Sequence, residues 1–89
     1  MSMRKGIYEV TTRLKGERLK RKYTQREMGD FLEIPTSAYA MYEQGSKKLA
    51  NARLKTILKI CIKLGARIDK VIDDQETLKL LNEYRKATK

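Results

Sequence analysis

The chain has 89 residues, enough for one small core, so a single domain held as an all-helical bundle or by self-association is expected. Its 21 Lys and Arg against 11 Asp and Glu give a formal charge of +10, which favours a polyanionic partner over a neutral or basic one. One cysteine, no histidine, no signal-type apolar segment and no run long enough to span a bilayer argue against an intrachain disulfide, histidine chemistry, secretion and a membrane role. A reducing cytoplasm, on the nucleoid, is the expected location.

Residues 1–9 read as a basic arm, with Gly6 breaking it. Arg4 and Lys5 in this arm are candidates to follow a phosphate backbone or enter a minor groove. The main domain is expected over residues 10–73. Its first helix should run from near Val10 to Lys22, with Val10, Leu14, Arg18 and Leu19 on one face and Gly16 weakening it by roughly 1 kcal/mol relative to Ala. Lys15, Lys20, Arg21, Lys22 and Arg26 cluster where this helix ends and the next begins. They border a helix N-terminus whose free N–H groups favour phosphate.

The second helix is predicted up to Leu32, with Thr24 as N-cap and Glu27 completing a capping box. Phe31 beside Leu32 is assigned to the core. The third helix is predicted to start at Pro35, whose missing N–H costs nothing at a first helical position, and to stop at Gly45. At 100° per residue, Tyr39 and Tyr42 project to one side and Thr36, Ser37, Ala40, Met41 and Gln44 to the other. The second side lacks charge, so it can approach another surface without desolvating ions.

After the loop Gly45 to Lys48, Asn51 is the expected N-cap of a fourth helix over Ala52 to Leu64. Leu54, Ile57, Leu58, Cys61 and Leu64 form its stripe, and Ile60 and Ile62 widen it. So broad an arc suits a central helix or a dimer contact. Cys61 is read as core filler. Gly65 ends this helix, and a short fifth helix is expected from Ile68 to about Ile72. Asp73 and Glu76 offer a capping box for a last helix over residues 74–89, in which Thr77, Leu78, Leu80, Leu81 and Tyr84 share a face, for packing or dimerisation.

The stretch TQREMGDFLEIPTSAYAMYEQG, Thr24 to Gly45, resembles the helix-turn-helix of the Cro/C1-type repressors of bacteria and their phages. The matching features are Thr24-Gln25, Met28-Gly29 and Leu32, Ile34 after the turn, and Tyr42-Glu43 before Gly45. RLKTILKICIKLGARIDKVI, Arg53 to Ile72, is similar to the family's fourth and fifth helices, so the likeness covers roughly residues 10 to 72. It implies an all-α fold: a five-helix, lambda-repressor-like DNA-binding domain, here with an extra C-terminal helix. It also implies that helix 36–44 enters the major groove of double-stranded DNA.

Carried over residue by residue, the resemblance makes Thr36, Ser37 and Met41 base-facing, with Ala40 beside them. Gln25 contacts a phosphate or a base edge, and Arg26, Gln44, Lys47 and Lys48 are phosphate candidates. It also pairs Arg18 with Glu43, tying the first helix to the third, a reading preferred over Arg18 snorkelling to the surface. This chain departs from the family at Glu33, where Gly normally supplies positive φ, and at Gly29, where Ala is usual. No Arg stands on the base-facing side, so modest direct readout is expected, with DNA shape and phosphates supplying much of the affinity.

The resulting expectation is a sequence-specific regulator, a repressor acting as a homodimer on a palindrome with half-sites about 34 Å apart. An antitoxin of a toxin–antitoxin pair shares the same DNA chemistry. Either would admit a protein partner such as a toxin or antirepressor. An adaptor that keeps the fold but binds protein belongs to a different class. Without histidine, a glycine-rich phosphate loop or a metal-ligand cluster, neither catalysis nor a cofactor is expected.

Overall fold

The protein is described from a computed structural model, which covers residues 12–89. Val10, Arg4 and Lys5, and with them the proposed arm, lie outside the described residues. Those described form five α-helices and two short 3-10 turns, with no strand among them.

Helix α1 spans Arg13–Lys20, shorter than the sequence suggests at its C-terminal end. Thr12 caps it, its hydroxyl accepting from the Lys15 N–H at 3.2 Å. Arg21 and Lys22 form a turn instead of a last helical stretch, with Lys22 in the left-handed region at φ 61°. Leu14 and Arg18 face inward, whereas Leu19 is exposed. The step of 100° from Arg18 to Leu19 carries the leucine past the contact with the rest of the bundle.

Helix α2, Gln25–Leu32, begins at the predicted capping box. Thr24 Oγ1 accepts from the Glu27 N–H at 3.0 Å, and Glu27 Oε1 accepts from the Thr24 N–H at 2.7 Å. The helix ends at Glu33, which holds the left-handed conformation (φ 62°, ψ 40°) that glycine would adopt freely. The turn is therefore preserved at a local cost of about 1–2 kcal/mol. Hydrogen bonds from Glu33 N to Asp30 O and from Ile34 N to Gly29 O close it.

Helix α3 spans Thr36–Gln44. Pro35 is its N-cap and not its first helical residue, because an extended ψ of 148° is needed to turn the chain from Glu33 into a new axis. The Pro35 carbonyl accepts the Ala38 and Tyr39 N–H groups. Gly45 ends the helix at φ 83°, as the sequence predicts. Gly29 brings α2 close to the start of α3: a Cβ at that position would meet the Ile34 carbonyl oxygen at 3.0 Å and Thr36 Cα at 3.4 Å.

Helix α4 spans Leu54–Leu64, and Asn51 does not cap it. Residues Leu49–Asn51 form a 3-10 turn that buries Leu49 in the core, and the chain then extends through Ala52 and Arg53 before α4 starts. Ile57, Ile60, Cys61 and Leu64 are buried, but Leu54, Leu58 and Ile62 from the expected arc are exposed. Gly65 ends the helix in the left-handed region. The expected fifth helix is a single 3-10 turn, Ile68–Lys70, and Val71, its C-cap, and Ile72 enter the core just after it.

Helix α5 spans Gln75–Ala87. Asp74 is its N-cap, one residue later than the predicted box, accepting from the Thr77 N–H at 2.9 Å and the Thr77 hydroxyl at 2.6 Å. Asp73 is drawn away from the cap by the start of α1, where it accepts from the Arg13 N–H at 3.2 Å. No residue of α5 is buried; Leu78 packs on the edge of the core.

The core joins Leu14 of α1, Met28 and Leu32 of α2, Tyr39 of α3 and the buried stripe of α4 to Leu49, Val71 and Ile72. Each fully buried aliphatic side chain contributes about 1.5–3 kcal/mol by leaving water. Cys61 belongs to this cluster, and burial pushes its thiol pKa up, consistent with filler and not with reactivity. Phe31, assigned to the core from sequence, is exposed instead, with the Lys63 ammonium 5.2 Å from its ring centroid. It sits one step beyond the α2 side that Met28 and Leu32 occupy.

Candidate nucleic-acid interface

Helix α3 is held from behind. Tyr39 is fully buried, and Glu43 is only 2 % exposed. The Glu43 carboxylate takes the Arg18 guanidinium in a two-pronged contact, Nε to Oε2 and Nη2 to Oε1 at 3.0 Å. A third prong, Arg18 Nη1, donates to the Tyr23 carbonyl at 2.7 Å. Gln25 Nε2 also donates to Glu43 Oε1 at 3.0 Å, and the Thr12 hydroxyl donates to the Glu43 carbonyl oxygen at 2.9 Å. One residue late in α3 is thus bonded to the cap of α1, the body of α1 and the first turn of α2. The Thr12 bond satisfies one of the carbonyls left open at the end of α3.

Burial pushes the Glu43 carboxyl pKa up, but the hydrogen bonds from Arg18 and Gln25 outweigh it and hold the group below the usual carboxylate range. Glu43 is therefore ionised at neutral pH and its charge is matched within the site. Burial also raises the Tyr39 phenol, which stays neutral. Its hydroxyl is buried with no hydrogen-bonding partner among the described residues.

The opposite side of α3 is open. Thr36, Ser37, Met41 and Gln44 are exposed, and Ala40 is half-buried beside them. None of the five is charged, and Met41 presents a flexible apolar tip, 38 % exposed. Around this strip the candidates for phosphate contact divide. Lys47 and Lys48, in the loop after α3, are exposed; the Lys47 ammonium lies 5.9 Å from the Tyr42 ring centroid. Arg26 is exposed on α2, at the 4.0 Å limit of a contact with Asp30. Gln25 is half-buried, and its amide nitrogen already donates one hydrogen bond to Glu43.

The basic cluster between α1 and α2 is less free than its composition suggests. Glu17 takes Arg21 at 2.6 Å and Lys20 at 3.2 Å, and these contacts lower the Glu17 pKa. The capping box also occupies part of the α2 N-terminus and adds the Glu27 carboxylate there. Sequence reasoning missed Thr12, whose role depends on a partner 31 residues away, and the Asp73 contact with the start of α1. Among the described residues no helix is long and apolar enough to cross a membrane, and no cluster of His, Cys, Asp and Glu could hold a metal ion.

The family model described as helix-turn-helix matches residues 14–71, well over half the chain. No curated protein and no solved structure gave a match. The match runs from α1 to just past the second 3-10 turn and so takes in Arg18, Gln25 and Glu43, while Thr12 precedes it. The chain belongs to the Cro/C1-type helix-turn-helix family and is a DNA-binding transcriptional regulator.

Proposed function

We propose that this helix-turn-helix protein is a sequence-specific repressor that binds double-stranded DNA as a homodimer, with α3 in the major groove. The observation that carries the reading is the two-sidedness of α3: an exposed, uncharged strip in front, and the Arg18–Glu43–Gln25 clamp behind. A helix held this firmly can present small side chains to base edges without first being ordered. Thr36 and Ser37 donate or accept at base edges, and Met41 and Ala40 touch a thymine methyl. Gln25, Gln44, Arg26, Lys47 and Lys48 contact phosphates, which gives the complex its register and most of its salt dependence. With no guanine-forking Arg on the strip, groove shape and DNA deformability add to the selectivity. The protein then acts in the cytoplasm on the nucleoid.

In vitro selection from a random duplex pool tests this directly, because it reports sequence, palindromy and half-site spacing together. A palindrome with half-sites about 34 Å apart is expected. Fluorescence anisotropy against random duplex across salt gives the second readout. Weak binding with a flat salt dependence would instead favour a protein-binding adaptor. A toxin that copurifies at fixed stoichiometry would mark the protein as an antitoxin with the same DNA chemistry.

A further inference from the structure

Helix α5 keeps a face that the monomer leaves uncovered. Leu80 is 56 % exposed and Tyr84 64 % exposed, while Leu78, on the opposite side of the helix, packs on the core. At 100° per residue, Leu80, Tyr84 and Ala87 line one side. Along its border run Glu76, Lys79, Glu83 and Lys86, spaced by three, four and three residues. None of these four charges forms an ion pair with another described residue.

The sign order along that row is acidic, basic, acidic, basic. Reversing the helix about residue 81 exchanges Glu76 with Lys86 and Lys79 with Glu83, so every charge meets its opposite. A row with that symmetry is complementary to itself when two helices run antiparallel, which is the geometry a two-fold axis imposes. The exposed apolar strip on α4 lacks this property. Leu54, Leu58 and Ile62 are bordered by Lys55 and Lys59, so a second copy would bring like charges together there.

We infer that α5 is the homodimer seam: it pairs antiparallel with α5 of a second copy, Leu80 and Tyr84 in the middle and Glu76–Lys86 and Lys79–Glu83 pairs along the edge. The inference rests on the dimeric reading above and names the surface that forms it. A helix of 13 residues is about 20 Å long, so the seam is smaller than a standard interface and association of the free protein is weak. Two subunits on one duplex strengthen it by proximity.

Sedimentation equilibrium of the whole chain without DNA, at moderate salt and up to several hundred micromolar, is the test. Wild type should self-associate. Glu83→Lys and Lys79→Glu should each weaken the dimer about tenfold, because each substitution acts twice across the two-fold axis. The double exchange Lys79→Glu/Glu83→Lys should restore the wild-type constant to within about threefold, since it rebuilds the same pairs reversed. Leu80→Asp should abolish association. Circular dichroism melts check that each variant is folded; the charge variants keep the test decisive if Leu80→Asp unfolds. A wild type that stays monomeric, single variants that associate like wild type, or a double exchange without recovery would overturn the seam. Anisotropy with wild type separates the two readings: loss of the seam leaves duplex binding intact, whereas a failure of DNA binding leaves the self-association data standing.

Discussion

Arg18→Met isolates the clamp behind α3. The substitution keeps much of the aliphatic volume of Arg18 and removes the cation, leaving the nearly buried Glu43 carboxylate with only Gln25 against it. Breaking one side of a buried ion pair costs about 3–5 kcal/mol. A domain of this size has only about 4–13 kcal/mol to lose. At about 4–8 °C per kcal/mol, the melting temperature should fall by at least roughly 12 °C. Removing both charges, as in Arg18→Met/Glu43→Leu, should recover most of the loss, because an apolar pair of similar volume is close to neutral.

The pH dependence adds a check of sign. In wild type, the folded pKa of Glu43 lies below its ordinary value of 4.5, so the group adds stability that is complete above that value and lost as pH falls through the folded pKa. In Arg18→Met the desolvation of Glu43 has lost its main opponent, the folded pKa rises above the ordinary value, and acid relieves the penalty. The stability gap between the two proteins should therefore narrow as the pH is lowered from 7 toward 5. Urea denaturation followed by circular dichroism at several pH values measures all of this. A loss below about 1 kcal/mol at pH 7, or a double variant no more stable than the single one, would refute the clamp.

Three further outcomes follow from particular residues. Glu33→Gly should raise stability by about 0.5–1 kcal/mol in urea titration, because relief of the left-handed strain exceeds the entropy that glycine adds to the unfolded chain; a decrease would count against the strain. Lys48→Ala should weaken binding alike on all duplexes and reduce the salt slope by about one, read by anisotropy, whereas a loss confined to one sequence would contradict a phosphate role. Met41→Gln should shift the sequence recovered by in vitro selection while changing stability by no more than about 0.5 kcal/mol, as expected for an exposed side chain.

Much of the fold was legible because its signals are local. The capping box at Thr24 and Glu27 fixes the start of α2, Gly45 and Gly65 end α3 and α4, and the split between tyrosines and small polar residues orients α3. The alternating charges of α5 are equally plain in the chain. Tertiary packing decided which side of each broad apolar arc became covered. Leu54, Leu58 and Ile62 look like core on α4, yet the core closes on Ile57, Ile60, Cys61 and Leu64, with Leu49, Val71 and Ile72 entering from outside the α-helices. Asn51 and Asp73 have good cap chemistry but stand where the bundle needs a 3-10 turn and a tether to α1. The resemblance already gave Glu43 its partner Arg18, but only the folded bundle adds Thr12 and Gln25 to it. Caps and turns depend on residues three or four apart, whereas burial depends on which distant surface arrives, and the hydrophobic effect that drives it carries no direction of its own.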